Sequence, residues 1–285
     1  MRYRFIRFPE GRYKAVTLSY DDAKEHDRRL LEIIDQYHIK CTFNVNSEVL
    51  SDSRARCLTK EEIRDLVANG VHEVAVHGAR HIALGRTTAV NGIREVLECR
   101  MELEKIVGNI VRGMAYADSG ILKMSANVTY DEVRSYLKAL GIVYARTALG
   151  DNNSFELPND WYAWMPTCAH SNPRLFDYVQ QFLALDMQKM YGANRNARLF
   201  YLWGHSYSFA DDNNWGLLEE FCRQIGGKED IWYATNIEIC DYVAAYHSLV
   251  FSVENDIVYN PTVKKIWFDV DGKVYGVEPG QTLYI

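Results

Sequence analysis

Apolar stretches of two different periods alternate along most of this chain, and that alternation is the strongest constraint on its fold. Ala15 to Tyr20 reads as a strand; Leu30, Ile33, Ile34 and Tyr37 then recur at helical spacing, and Cys41 to Val45 reads as a strand again. Thr59 and Glu62 stand three apart, the spacing at which each side chain caps the other's backbone N–H. They open a helix whose apolar face is Ile63, Leu66 and Val67. A strand from Glu73 to Val76, a long helix through Ile93, Val96, Leu97 and Leu103, and a short strand at Met114 to Tyr116 follow. A helix ends at Leu140-Gly141, where glycine suits a left-handed cap, before a strand at Ile142 to Ala145. A helix after Pro173, a strand at Leu199 to Trp203, and helices from about Trp215 and Asn236 complete the series. Such a series builds an α/β protein with a parallel sheet, open or closed into a barrel. From about Ser248 the pattern changes to short β-type runs, with Asp271-Gly272 marking a hairpin between Lys264–Val270 and Lys273–Val277. The expected organisation is a (β/α) barrel over residues 1–247 and a small antiparallel β appendage over 248–285, covering the barrel's bottom or side.

The residues able to do chemistry fall at one end of this series. Asp21 and Asp22, His77, Tyr116, Arg146 and His205 each stand just past the C-terminal end of an expected strand, where an α/β barrel builds its active site. Two histidines four apart, His77 and His81, lie on one face of a helical turn and can grip one cation. A single Asp completes three ligands and leaves positions open for water, and the second Asp is free to act as a base. Taken singly, each feature has a plainer reading: adjacent Asp residues after a strand often cap local backbone, and a spaced His pair can be a solvated face. Their conjunction with His205 makes metal binding the better reading.

Composition narrows the function classes. The 32 basic and 38 acidic residues give a formal charge of -6 with no Lys/Arg stripe, so nucleic acid is not an expected partner. No apolar run is long enough to cross a bilayer, and residues 1–5 lack the apolar core of a secretion signal; a cytoplasmic protein that engages no membrane is expected. Six cysteines without a C-x-x-C pair read as reduced and structural. The sequence leaves an oligomer open.

Five motifs together resemble a known family. Ser19-Tyr20-Asp21-Asp22-Ala23 is similar to the T-F-D-D-G opening of the NodB-type polysaccharide deacetylases, carbohydrate esterase family four, and Thr42-Phe43-Asn44-Val45 to their second strand. His72-Glu73 through His77 to His81 resembles their G-H-E-x-x-x-H-[ST]-x-x-H, Gly113 to Ala117 a variant third motif, and Leu202 to Ser206 the closing L-x-x-H region. The resemblance implies a deformed (β/α) barrel, one divalent metal (zinc first, cobalt or nickel next), and removal of N-acetyl or O-acetyl groups from a carbohydrate. It implies Asp21 as base, Asp22, His77 and His81 as metal ligands, His205 as acid, and an oxyanion site near the backbone of Tyr116 and Ala117. Ala23 replaces the usual glycine, a mild change if its φ is negative. Ala115 stands where many members carry an arginine that orients and charges the base. Arg112 is three positions early, whereas Arg146 ends the next strand and either replaces that arginine or serves a structural ion pair. Among the aromatics, Trp161, Trp164 and Tyr207 are the candidate sugar platforms, and Trp203 is expected in the core. His72 reads as a packed histidine and His170 as a substrate-side residue. Two rival readings are an amidohydrolase for a small cyclic amide or ureide, and a glycan-binding protein without catalysis.

Overall fold

The computed structural model describes residues 3–68, 70–148, 150–190 and 194–285. The chain opens on β1 (Arg4–Arg7) and then enters a parallel sheet at β2 (Lys14–Asp21). There follow α1 (Asp27–Gln36), β3 (Cys41–Val45), α2 (Lys60–Ala68), β4 (Glu73–Val76), α3 (Ala89–Val107), β5 (Gly113–Ala115), α4 (Tyr130–Ala139) and β6 (Tyr144–Arg146). After a long connection come β7 (Cys168–Ala169), α5 (Leu175–Leu183), β8 (Arg198–Gly204), α6 (Ser206–Asp211), α7 (Trp215–Ile225), β9 (Ile231–Tyr233) and α8 (Asn236–His247). The strand order is β6-β5-β4-β3-β2-β8-β7, every pairing parallel, with β9 added beside the first residues of β2.

This seven-strand sheet curls into a half-barrel, the α/β architecture expected from the alternating periods. The segment leading into β7 spans the gap: Trp164 N–H donates to the Ala145 carbonyl at 3.0 Å, and Thr167 N–H to that of Tyr201 at 2.8 Å. The Thr59–Glu62 box forms as read, Thr59 N–H reaching Glu62 Oε2 at 2.7 Å and Glu62 N–H reaching Thr59 Oγ1 at 3.2 Å. Strand β6 begins later than expected. Ile142 N–H still bonds the Leu137 carbonyl across Gly141, whose φ is +71°, so the α4 cap consumes the residues read as strand.

Every residue of β2 is buried, yet it is not uniformly apolar. Val16, Leu18 and Tyr20 belong to the core between sheet and outer helices, while Thr17, Ser19 and Asp21 alternate with them and face polar partners in the barrel. Asn44 Nδ2 donates to Ser19 Oγ at 2.7 Å and to Asp21 Oδ1 at 2.8 Å. Lower down, the Thr17 hydroxyl donates to Asn236 Oδ1 at 2.9 Å and the Asn236 amide also bonds the Tyr201 hydroxyl. Asn236 N–H reaches Thr42 Oγ1 at 3.0 Å, and the Thr42 and Tyr144 hydroxyls donate to Glu73 at 2.8 and 2.7 Å. Buried polar groups persist chiefly when partnered, and these bonds partner all of those named but Asn44 Oδ1.

A second core closes the barrel's lower end. Phe8, Trp164, Leu199 and Tyr201 meet Ile239, Tyr242 and Val243 of α8 there, together with residues of the last strands. Those strands are β10 (Val250–Phe251), β11 (Ile257–Tyr259), β12 (Ile266–Val270), β13 (Lys273–Val277) and β14 (Thr282–Tyr284). β12 pairs antiparallel with both β13 and β1, so residues 4–7 lie in the same small sheet as the C-terminal hairpin. Asp271 and Gly272, at φ +50° and +92°, supply the two left-handed positions of its turn.

Asn236 ties β2, β3 and β8 to α8. Replacing it by Leu strands the Thr17 and Tyr201 hydroxyls, and a loss of roughly 2–4 kcal/mol is expected from two unsatisfied buried groups. A urea titration reads this as a lowered midpoint; an unchanged midpoint refutes the interior network as a source of stability.

Candidate active site

Asp21 ends β2 inside the barrel, only 2 % exposed. The guanidinium of Arg146, fully buried at the end of β6, donates through Nη2 to both its oxygens, at 2.6 and 2.5 Å. Trp203 lies over that guanidinium, 4.5 Å from ring centroid to Cζ, so an aromatic face covers the cation where water would otherwise sit. Burial by itself pushes the Asp21 carboxyl up. Arg146, His77 and His205 outweigh it and hold the carboxyl below the usual value. Arg112 is elsewhere, forked onto Asp241 of α8 at 3.0 and 2.7 Å.

The next residue turns the other way. Asp22 has φ +78° and Ala23 φ +47°, so the condition for a mild change at Ala23 is not met: an alanine occupies a left-handed position that costs about 1–2 kcal/mol without glycine. Asp22 N–H bonds the Asn44 carbonyl at 3.0 Å and Leu58 N–H that of Ala23 at 2.8 Å, which holds the strained turn. Asp22 Oδ1 thereby stands 3.7 Å from Nε2 of both His77 and His81.

The His pair is not on a helix, which corrects the helical-turn reading. His77 follows β4, and residues 77–83 form a loop that doubles back at Gly78 (φ +89°) and His81 (φ +61°) to bring the two rings within 4.9 Å. Glu95 of α3, 1 % exposed, shapes that loop by accepting the N–H groups of Arg80 at 2.5 Å and Ile82 at 3.2 Å. A Cβ at Gly78 would meet Glu95 Oε1 at 2.8 Å, so glycine is needed for the close approach as well as for φ.

One donor atom each from Asp22, His77 and His81 lies within 4.8 Å of the others. A cation bound at about 2.1 Å holds its ligands roughly 3.0–3.5 Å apart, close to the spacing here. The chemistry of the donors fits too. His77 Nδ1 lies 3.0 Å from the Ala115 carbonyl, which can only accept, so the ring's proton is fixed there and Nε2 presents a bare lone pair to the cluster.

Opposite the cluster, His205 follows β8 with Nε2 3.9 Å from Asp21 Oδ2 and 3.9 Å from Asp22 Oδ2. Tyr207 packs beside it at 5.1 Å between ring centroids. A cavity of about 350 Å³ adjoins His205, bordered by Trp203 and His170. Trp203 is thus part-exposed at this rim rather than in the core, a correction. His72 is packed as expected, bonding Cys41 N–H at 3.2 Å and Asp35 at 3.0 Å. Trp161 and Trp164 are corrected as sugar platforms. Their rings pack on one another at 4.7 Å, and Trp164, 1 % exposed, sits against Tyr144 and Tyr201 in the lower core. Tyr116 N–H is spent on the Arg146 carbonyl at 3.0 Å and its hydroxyl on that of Tyr162 at 2.8 Å, so it offers no oxyanion donor; Ala117 N–H makes no hydrogen bond among the described residues. Asn44, Glu95 and Trp203 are the site residues that motif reading left without a role.

Residues 4–145 match the family model for polysaccharide deacetylase, and the chain belongs to that family. A solved structure from Mycobacterium smegmatis, described as a polysaccharide deacetylase, is similar at 19 % identity with a TM-score of 0.55, over 85 % of this chain and 94 % of that one. Puue allantoinase is similar at 14 % identity and TM-score 0.59, over 84 % and 93 %. A family 4 acetyl xylan esterase from Clostridium thermocellum, in complex with a cobalt ion, is similar at 16 % identity and TM-score 0.45, over 79 % and 89 %. The first two likenesses speak to the fold alone. No curated protein sequence matches. No helix among the described residues is long and apolar enough to cross a membrane.

Glu95 touches no donor atom of the cluster but fixes the backbone on either side of His81. Glu95→Ala is expected to weaken cobalt or zinc affinity about 10- to 100-fold, the effect of removing a group that orients a ligand. Isothermal titration of metal-stripped protein reads it; unchanged affinity refutes the assignment.

Proposed function

We propose that the chain is a metal-dependent carbohydrate deacetylase that hydrolyses an acetyl group from the nitrogen or oxygen of a sugar. The observation that carries this reading is the convergence at one strand end of two unlike carboxylates. Asp22 is part-exposed and shares a cluster with His77 and His81, whereas Asp21 is sealed and paired with Arg146. Asp22, His77 and His81 would hold a divalent cation, zinc in the first instance, which would supply Lewis acidity for the attacking water and the acetyl carbonyl.

The chain's own groups do the rest. Asp21 Oδ2, 3.8 Å from His77 Nε2 and 3.9 Å from His205 Nε2, accepts the proton of the attacking water. Arg146 orients that carboxylate and keeps it ionised, the part that Ala115 cannot play. Ala117 N–H is the backbone donor left to the developing oxyanion. His205 Nε2 protonates the departing nitrogen or oxygen, so water is consumed and acetate and the free sugar group are released. Tyr207 borders the substrate beside His205.

Purified protein is expected to hold about one zinc, cobalt or nickel per chain and to release acetate from N-acetylglucosamine oligomers or acetylated xylan. His77→Ala or Asp22→Asn should remove the metal, because two protein ligands are too few. Asp21→Asn should keep it and lose roughly 10²- to 10⁴-fold in kcat. Metal analysis beside acetate assays checks both, and metal lost in Asp21→Asn but kept in Asp22→Asn would reverse their roles. Hydrolysis of allantoin without acetate release from either glycan would replace the reading with a ureide amidohydrolase.

Arg146 lowers the Asp21 carboxyl, so its loss raises it. In Arg146→Met the acid limb of kcat/KM should move to higher pH, and the uncompensated buried carboxylate should cost about 3–5 kcal/mol of stability. Arg146→Lys keeps the charge and should recover most of the stability. An unmoved acid limb in both variants would make the pair purely structural.

A further inference from the structure

The cavity beside His205 has its own polar pattern. Its border includes Asp151, His170, Asn172, Trp203 and Gly204. His170 is 5 % exposed and stacks on Phe209, with 4.1 Å between ring centroids, and on Tyr20 at 5.8 Å. Its Nδ1 is sealed in protein with no hydrogen-bond partner. Gly204 decides which nitrogen carries the proton. A Cβ on Gly204 would lie 2.0 Å from His170 Nδ1, so the Gly204 hydrogen on that side points at this nitrogen. A bare lone pair accommodates a Cα–H; an N–H there would set two hydrogens against each other. The neutral ring therefore carries its proton on Nε2, at the other edge of a ring that borders the cavity. Burial and the neighbouring His205 push the His170 pKa down to about 4, which keeps the ring neutral in ordinary buffers.

The same border holds a fixed acceptor. The Asp151 carboxylate is held by Asn172 Nδ2 at 3.0 and 3.1 Å and by the Tyr178 hydroxyl at 2.9 Å. Trp203 adds a part-exposed indole to the same border. A fixed neutral donor, a fixed acceptor and an apolar wall suit a ring that carries hydroxyls on its edge and C–H bonds on its face.

We propose that His170 is the specificity-determining residue of this cavity, a neutral Nε2–H donor that binds an acceptor oxygen of a sugar ring whose hydroxyl meets Asp151. The proposal rests on the deacetylase reading for the ring's place beside His205, and it is tested apart from catalysis. Long-range ¹H–¹⁵N spectra of the histidine rings at pH 7, with His170→Phe identifying the signal, should show the neutral Nε2–H tautomer. The Nδ1–H tautomer or a charged ring overturns the proposal.

His170→Phe keeps an aromatic ring against Tyr20 and Phe209 and has no N–H, but sets a ring C–H against Gly204, a crowding that the ringless His170→Gln does not share. It should raise KM for N-acetylglucosamine oligomers roughly 10-fold, the loss of one hydrogen bond, with the loss falling on KM rather than kcat. His170→Gln, whose amide nitrogen reaches the position of Nε2, should restore most of it. Unchanged KM in the Phe variant, or equal damage in both, overturns the role. If the wild type releases no acetate, the deacetylase reading fails while this one is decided by calorimetric titration with the N-acetylglucosamine dimer. Binding weakened by His170→Phe upholds the proposal, and equal binding, or none by the wild type, overturns it.

Discussion

The ion pair between Asp21 and Arg146 is the interaction on which the upper half of the barrel depends. Both side chains have left water almost completely, and two such charges are retained only when each fully occupies the other. That requirement reaches outward. Asn44 must fill the remaining side of Asp21 Oδ1, Trp203 must cover the guanidinium, and β2, β3, β6 and β8 must end at the same height to bring the four together. Asn44 in turn engages Ser19, so the charge at the top is continuous with the polar interior below it. A barrel filled with branched aliphatic side chains would offer Asp21 nothing to accept from.

Strain at the rim is the counterpart of this order. Asp22, Ala23 and His81 hold left-handed backbone angles without being glycine, and two of them carry donor atoms of the proposed cation site. Such angles survive only where surrounding bonds over-determine them. Asn44 O, Leu58 N–H and the Glu95 carboxylate supply those bonds. The same two-residue turn that strains Ala23 also separates the two carboxylates, sending Asp21 into the barrel and Asp22 toward the histidines. Adjacent residues in an ordinary strand would also diverge, but to opposite faces of the sheet, and only one could reach the site.

How much of this was legible depends on whether a residue's neighbours are local. Strands β3 and β4 and the starts of α7 and α8 follow from period and caps, and they appear where the sequence puts them. The chemistry-bearing residues were visible because barrel topology collects strand ends, whatever their separation in the chain. Trp203 was misread because its position in an apolar strand says nothing of the cation it covers; Trp161 and Trp164 were misread because a loop position does not reveal which way a ring turns. The helical reading of His77 and His81 failed because spacing alone cannot see two positive φ angles. Other signals were present and unused. The polar alternation of Thr17, Ser19 and Asp21 announces a wet barrel interior, and Glu95 interrupts an apolar helix face, as a buried acid with backbone partners does.

The family match ends at residue 145, one position before Arg146, and this boundary separates two physical tasks. The proposed cation ligands come from the loops after β2 and β4, inside the matched segment, whereas Arg146, His170, Trp203 and His205 come from β6, β7, β8 and the residues that follow them. Asp21 belongs to both groups, since it faces the histidine cluster on one side and is held by Arg146 on the other. A change in the cavity can therefore reach the cation site by two routes, through this carboxylate by way of Trp203 and Arg146, and through His205, which stands 3.9 Å from Asp22 Oδ2. Substitutions of the His170 side chain, whose ring packs on Tyr20 and Phe209 and is joined to Trp203 only through its backbone N–H, should alter what is bound without altering how the water's proton is removed, while substitutions at Trp203 should disturb both at once.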